Sequence, residues 1–355
     1  MHGRERILKG KMVTAMRNHE VTNVQLLLDE KGELREPGWS RSLVQKYRRS
    51  DIKAPAFRIK EWDYYLVVNR DFAAAFTISD DGYIGLQSVS LLVFGDEPWE
   101  HTETVLNAFP MGKLGLPNDS SFGTTKYSDK RLQMSFEVRY RTRHIKCHFE
   151  NFMDGKPLDA EIVLEQPPMD SMVIATPWPE KHAFYYNQKI NCMRASGYVS
   201  YDGKKYSFDP ASDFGTLDWG RGVWTYDNTW FWGSGNADVD GNSFGWNIGY
   251  GFGDTSAASE NMLFWNGKAH KLDDVEFVIP ESGYMDTWKF TSSDGRFEMT
   301  FEPVLDRAAC LDYKVIVSDQ HQVFGKMSGR AVLDDGTEIN IRDVMCFAEK
   351  VHNKY

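Results

Sequence analysis

Large aromatic residues, one carboxylate and one guanidinium are concentrated in a short stretch of the second half of the chain. The segment from Leu217 to Tyr226 reads LDWGRGVWTY, and TWFWGS follows it. Large aromatic side chains form the walls of ligand pockets, and a few polar groups among them orient the ligand. The pattern therefore predicts a pocket whose candidate residues are Asp218, Arg221, Trp224, Tyr226, Trp230 and Trp232.

Asp218 is the first candidate for a catalytic group. A carboxyl group against tryptophan walls loses solvation, which raises its pKa and keeps a proton available near neutral pH. If Arg221 instead pairs with Asp218 and holds it ionised, Glu260 becomes the better general acid. We expect Asp218, Arg221, Trp224, Trp232 and Glu260 to converge on one cavity. The alternative is a tryptophan-rich core with a structural Asp–Arg pair.

Two further polar segments could line the same cavity. Glu260 and Asn261 end a polar stretch just before an apolar strand, and Asn187 and Lys189 lie in YYNQKIN, which breaks the usual alternation. A solvent loop and a plain exposed strand explain these segments equally well. Asn187, Lys189 and Asn261 are therefore candidate ligand-binding residues only.

No motif indicates a metal or a cofactor. His144, Cys147 and His148 resemble a metal cluster, but on a strand the two histidines share one face and Cys147 takes the other. The glycine-rich GYGFG at 249–253 lacks dinucleotide-binding spacing. We expect no metal and no cofactor.

Composition limits the setting of the protein. The 355 residues carry a formal net charge of −10, which argues against a nucleic-acid partner. The chain has neither a run of about 18 apolar residues nor a signal peptide, and its four cysteines are scattered. The sequence thus predicts a cytoplasmic protein without a membrane span, whose partner is a small molecule.

Turn dipeptides indicate the fold class. Seven Asp-Gly or Asn-Gly pairs begin at positions 81, 154, 202, 240, 266, 294 and 335, most of them beside alternating polar and apolar segments. Such pairs favour tight hairpins, and alternation with period two indicates antiparallel strands with one buried face. Strands without edge protection must close into barrels. The prediction is an all-β protein with few short helices, the best candidate being Ser40–Arg49.

The chain length suits two modules. A Pro-rich stretch between residues 166 and 179 marks the expected crossing. We predict a leader or extension at 1–20, an N-terminal β-barrel half at 21–175, and a C-terminal half at 176–355 that carries the site.

The motifs YNQKIN, LDWGRGVW, the WxWGS that begins at Trp230, and Glu260-Asn261 together resemble the bacterial "domain of unknown function 2804" family. The resemblance covers nearly the whole chain after about residue 20. It is distantly similar to the double-lipocalin group that includes carotenoid 1,2-hydratases, which implies two lipocalin-like antiparallel β-barrel halves packed together. Those hydratases have an Asp-His-x-Trp segment in a comparable place, whereas here Trp219 follows Asp218.

Three functions remain open at this point. The first is an enzyme that uses Asp218 or Glu260 as a general acid or base in hydration, cyclisation or isomerisation of a small apolar or amphipathic substrate. The second is a non-catalytic small-molecule binding protein that uses the same pocket. A glycoside hydrolase with Asp218 and Glu260 as its carboxylate pair is a further enzymatic alternative. The third function is a structural or interaction role, in which the tryptophans belong to the core.

Overall fold

The structure is a computed structural model that describes residues 17–312 and 317–354. Most of the predicted extension at 1–20 lies outside the described residues. The first strands are β1 Gln25–Leu26, β2 Gly38–Ser40, β3 Gln45–Lys46, β4 Ile59–Val68, β5 Phe72–Asp80, β6 Ile84–Val93, β7 Trp99–Ala108 and β8 Gly123–Ser128. They are followed by β9 Leu132–Arg139, β10 Thr142–Met153, β11 Lys156–Glu165, β12 Met172–Pro177, β13 Phe184–Tyr201, β14 Lys204–Phe208 and β15 Phe214–Val223.

The remaining strands belong to a second sheet. They are β16 Asp227–Val239, β17 Asn242–Tyr250, β18 Met262–Trp265, β19 Lys268–Lys271, β20 Val275–Val278, β21 Trp288–Ser292, β22 Phe297–Asp312, β23 Val317–Val332 and β24 Glu338–Lys354. The described residues contain no α-helix, only the 3-10 turns Arg49–Asp51 and Ala56–Arg58. None of their helices is long and apolar enough to cross a membrane.

All seven predicted turn dipeptides connect consecutive antiparallel strands. At Asp154, Asp202, Asp240 and Asn266 both residues of the pair have positive φ, which is the backbone geometry that twisted two-residue hairpins need. The prediction of an all-β fold from these turns is confirmed.

The helix predicted over Ser40–Arg49 is wrong. This segment ends β2, forms β3 in parallel with β1, and enters the first 3-10 turn. Tyr47 is buried with its ring edge-on to Trp219, at 6.3 Å between centroids, and its hydroxyl donates to Glu61 at 2.7 Å. The segment therefore follows the barrel interior, because these tertiary contacts outweigh the weak helical spacing of Leu43 and Tyr47.

The two sheets curl into antiparallel half-barrels of lipocalin-like form. The first has the order β7-β6-β5-β4-β15-β13-β11-β10-β9-β8, with β2, β12 and β14 attached. His101 on β7 bonds the backbone oxygen of Phe152 on β10 at 2.7 Å, so the far strands of the sheet come together. The second has the order β19-β18-β17-β16-β24-β23-β22-β21-β20.

The chain passes from the first sheet to the second between Val223 and Asp227. The crossing between the sheets therefore comes later in the chain than the boundary at residues 175 and 176, which was predicted from the Pro-rich stretch. The reason is that β13 and β15 both hydrogen-bond into the first sheet. Asp218 on β15 therefore belongs to the first sheet, whereas Trp230 and Trp232 on β16 belong to the second.

Three apolar clusters follow from this layout. One fills the first half-barrel and contains Trp219, and another fills the second and contains Trp246. The third lies between the sheets and includes Tyr64, Tyr185, Trp224 and Trp232. The aromatic residues of the predicted pocket thus meet where the two sheets face each other.

Candidate functional site

A cavity of about 610 Å³ lies between the two sheets. Strands β4 to β7, β13 and β15 line it from the first sheet, and β16 and β22 to β24 line it from the second. Five of the predicted site residues are among its lining residues: Lys189, Asp218, Trp224, Trp230 and Trp232. The site therefore does not lie inside either half-barrel.

Asp218 is held in an ion pair by a residue that the sequence suggested only as a ligand contact. The antiparallel register of β13 and β15 sets Lys189 directly opposite Asp218, and the Lys189 Nζ lies 2.8 Å from Asp218 Oδ2. Asn187 Nδ2 donates to the other carboxylate oxygen at 2.6 Å. The side chains of Lys189 and Asp218 are 2% and 10% exposed, so this charge pair is nearly free of bulk solvent.

Lys189 also contacts the aromatic wall. Its ammonium lies 3.8 Å from the ring centre of Trp232, close enough for a cation–π interaction. The Trp232 indole N–H donates to Asn247 at 2.7 Å, which fixes the ring. Trp230 and Trp232 lie on one face of β16, because both line the cavity while Phe231 stacks on Tyr250 on the opposite side.

Arg221 does not converge on this cavity. It is three residues from Asp218 on one strand, and residues at odd spacing point to opposite faces. Its guanidinium lies inside the first half-barrel, fully buried, 2.9 Å from Asp63 and 4.2 Å from the Trp219 ring centre. It also donates to the carbonyl oxygens of Trp62, Gly220 and Pro117. The expected convergence of Arg221 on the cavity is therefore wrong, and the alternative of an Asp218–Arg221 pair is not realised, because Lys189 is the partner of Asp218.

Glu260 does not line the cavity and is separated from it by the side chain of Tyr185. It is 2% exposed, and the Tyr185 hydroxyl, which does line the cavity, donates to its Oε2 at 3.4 Å. A Cβ on Gly249 would come within 2.4 Å of Glu260 Oε1, so only glycine leaves room for this carboxyl. Burial raises the pKa of Glu260 from 4.5 to about 7. The positive charge of Lys189 partly offsets this rise, and the negative charge of Asp218 adds to it.

Tyr226 and Asn261 lie away from the cavity lining. Tyr226 is about half exposed, with the Lys354 ammonium 5.7 Å from its ring centre. Asn261 is buried in the second sheet, where it accepts from the Gly249 amide and donates to the Asp273 carbonyl. The oxygen and the nitrogen of the Asn261 side-chain amide are thus both hydrogen-bonded to the backbone, which accounts for the burial of this residue.

Sequence reasoning missed a second acid on the cavity wall. Glu349 on β24 lines the cavity and accepts from the Trp230 indole at 3.0 Å and from Gln322 at 2.8 Å. Arg307 in turn donates to Gln322 at 2.9 Å. Burial raises the pKa of Glu349, opposed by the bonds from Trp230 and Gln322. Glu349 could have been noticed in the sequence because it lies in CFAEKV, where an acid interrupts a largely apolar strand segment.

Trp62 is the second important residue that the sequence analysis missed. It lines the cavity in contact with Trp224, with 5.5 Å between ring centres. A Cβ on Gly220 would lie 2.0 Å from the Trp62 indole, so the indole rests on the bare backbone of β15. This contact explains why glycine follows Trp219 in the LDWGRGVW motif.

Metal-ligating side chains do not cluster in the described part of the chain. No group of three or more His, Cys, Asp and Glu residues is placed there to hold an ion. His148 instead contacts Asp159 at 2.7 Å and Glu150 at 3.1 Å, and Cys147 is buried in the first half-barrel.

The double half-barrel with a cavity between its sheets defines a lipocalin-like class of protein. Residues 18–355 match the model of a family described as Domain of unknown function (DUF2804), and the chain belongs to that family. No curated protein matches the sequence.

Solved structures with a similar fold share little sequence with the chain. The structure of CghA has a TM-score of 0.50 at 10% identity and covers 93% of this chain and 96% of its own. A putative AttH from Nitrosomonas europaea gives 0.49 at 11%, covering 86% and 96%. Kievitone hydratase from Nectria haematococca gives 0.45 at 11%, covering 83% and 88%. At this identity the likeness to CghA supports the fold alone.

Proposed function

We propose that the protein is an enzyme that binds a small amphipathic molecule between its half-barrels and acts on it by proton transfer. The reaction class is the addition or removal of water, ring closure or isomerisation. The observation that carries the proposal is the Lys189–Asp218 pair facing the same aromatic-walled cavity as the carboxyl group of Glu349.

The charges around the cavity support acid–base chemistry. Lys189 influences the titration of both Glu260 and Glu349, and so does Asp218. The ammonium of Lys189 therefore acts on three buried carboxyl groups, at positions where unpaired negative charge is costly. Since burial raises the pKa of both glutamates, the cluster keeps a proton that a bound substrate can take up.

Each group then has a distinct role in the proposal. Asp218, ion-paired with Lys189, is the proton acceptor, and Glu349 is the proton donor because it reaches the cavity directly. Glu260 exchanges its proton through the Tyr185 hydroxyl. The tryptophans hold the apolar part of the substrate and exclude water, which strengthens the electrostatic interactions at the reacting atoms.

The glycosidase alternative with Asp218 and Glu260 as its pair is not favoured by this arrangement. A glycosidase needs two carboxyl groups that flank one bond. Glu260 is not among the cavity-lining residues and lies behind Tyr185, so Asp218 and Glu260 do not present such a pair. The non-catalytic binding alternative uses the same cavity and is separated by measuring turnover.

The test compares the wild-type protein with Asp218→Asn and Glu349→Gln. Each is incubated with a small-molecule extract of cells, and untargeted mass spectrometry follows compounds that are consumed. We expect the wild-type protein to convert a compound into an isomer or into a product that differs by one water, and both variants to lose this conversion. Asp238→Asn, at the exposed Arg194–Asp238 pair, is the control. Compounds that bind the wild-type protein without conversion would make it a binding protein.

A further inference from the structure

The strand register aligns six polar residues in one row along the cavity floor. Each residue is directly opposite the next on six adjacent strands of the first sheet. The row is Lys189, Asp218, Tyr64, Thr77, Ser88 and Thr104, and all six residues line the cavity. Directly paired residues on neighbouring strands share one face, so the row leads from the ion pair to the far edge of the sheet without interruption.

The far half of the row consists of hydroxyl groups that face the cavity. Thr77, Ser88 and Thr104 are half-buried, and no side-chain hydrogen bond joins any of the three to another described residue. Hydroxyls beside the row behave differently. Thr102 donates to Ser90 at 2.9 Å, and Ser79 donates to the Leu86 carbonyl at 3.2 Å. The protein thus satisfies the neighbouring hydroxyls internally and leaves those of the row for a ligand.

On the opposite wall, hydrogen bonds between side chains engage several of the polar groups. Trp232, Glu349, Gln322 and Arg307 also form a cross-strand row, on β16, β24, β23 and β22. Hydrogen bonds link Arg307 to Gln322 and Gln322 to Glu349. On the floor of the cavity beyond Tyr64, by contrast, the side chains of Thr77, Ser88 and Thr104 have no such partner among the described residues and face the cavity.

We propose that this hydroxyl row determines substrate specificity, which rests on the proposed function above. Three steps between strands, each of about 4.8 Å, separate Tyr64 from Thr104 by roughly 14 Å. A substrate that fits the row is extended and amphipathic, and it carries several hydroxyl or carbonyl oxygens along one edge. Its reacting atoms lie at the Asp218 end, and its oxygens bond Thr77, Ser88 and Thr104.

A matched series of steroid acids tests the proposal. Lithocholate, deoxycholate and cholate share one skeleton and carry an increasing number of hydroxyl groups, all on one face. Calorimetric titration below their micelle concentrations measures each affinity for the wild-type protein and for the triple variant Thr77→Val, Ser88→Ala and Thr104→Val. Thr124→Val is the control, because Thr124 lies exposed on β8 of the same sheet and outside the cavity lining.

We expect the wild-type protein and the control to bind cholate about tenfold more tightly than lithocholate, since each row hydroxyl adds a modest net hydrogen bond. The triple variant is expected to lose this difference while it binds lithocholate as before. Equal affinities across the series in the wild-type protein, or a hydroxyl preference that survives in the triple variant, would overturn the specificity row and leave the proposed function standing. Failure of all three steroids to bind, together with no conversion in the extract experiment, would count against the proposed function itself.

Discussion

The two faces of β15 each hold a buried acid–cation pair, and the surroundings of the two pairs differ. On the inner face, Arg221 contacts Asp63, and its two terminal nitrogens also donate to three backbone carbonyls. On the outer face, Asp218 meets Lys189 and Asn187 and lines the cavity between the sheets. The inner pair is enclosed in the packed half-barrel and supports the structure, whereas a pair at a cavity wall can exchange a partner for a ligand.

The space around the two pairs supports the same distinction. Beside Asp63 and Trp219 the first half-barrel leaves a cavity of about 10 Å³, about the space of a single water molecule. The cavity beside Asp218 measures about 610 Å³. The acids in the first half-barrel have further partners within the protein. Asp63 accepts a hydrogen bond from Thr125, and Glu61 accepts hydrogen bonds from Tyr47 and Arg49. The cavity between the half-barrels is therefore much larger than the space beside the inner pair.

Arg221→Met is expected to cause the largest loss of stability. The substitution leaves Asp63 buried without its cation, and breaking a buried ion pair from one side typically costs about 3–5 kcal/mol. Urea unfolding measures the change. Arg330→Met, at the exposed pair with Glu338, is the control and should cost less than about 1 kcal/mol. Equal losses in the two variants would remove the structural role assigned to the inner pair.

Glu260→Gln is expected to change how stability depends on pH. The folded-state pKa of about 7 lies above the ordinary 4.5, so the folded state binds more protons between these values, and the unfolding free energy falls as pH rises through this window. The glutamine variant lacks this fall, which amounts to roughly 3 kcal/mol. Urea unfolding at pH 5 and pH 8 measures it, with the exposed Glu302→Gln as the control. A variant that tracks the wild-type protein at both pH values would show that Glu260 ionises normally.

Gly220→Ala is expected to disturb the cavity face of β15 and leave its inner face in place. The new methyl group would overlap the Trp62 indole, and overpacking of this kind costs about 1–3 kcal/mol. Displacement of Trp62 should also weaken steroid binding in the cavity. Gly95→Ala is the matched control, because a Cβ there meets no atom within 4 Å. Unchanged binding in Gly220→Ala would show that Trp62 is not part of the ligand wall.

Asp218→Asn is expected to have the smallest effect on stability and a large effect on function. Asparagine keeps the acceptor for Asn187, and Lys189 keeps its contact with Trp232. Because Lys189 also lines the cavity, water can solvate its ammonium, so we expect a loss of only about 1–2 kcal/mol. Turnover should fall by at least about 100-fold, because the proton acceptor is gone. A loss of stability as large as that of Arg221→Met, with turnover retained, would make both faces of β15 structural.

The site could be predicted from the sequence only in part. The tryptophans and Asp218 could be identified because they lie close together in the sequence. A short segment that combines an acid with several large aromatic residues is unusual. Glu349 and Trp62 were not found, since they lie far from this segment and reach the cavity only because the sheets face each other. The error over Arg221 has a simpler origin. Its spacing of three residues from Asp218 already excludes a shared strand face.

The local chemistry of the sequence determined the strands and their turns. Asp-Gly and Asn-Gly pairs adopt the positive φ of tight hairpins without help from the rest of the protein, and alternating segments beside them must bury one face. Only the tertiary structure determined which side chains come into contact. The register of β13 against β15 brings Lys189 to Asp218, and the packing of the two sheets brings Glu349 to the same cavity. Such pairings depend on contacts between residues far apart in sequence, whose free energy is realised only when the whole fold forms, and no short segment encodes them.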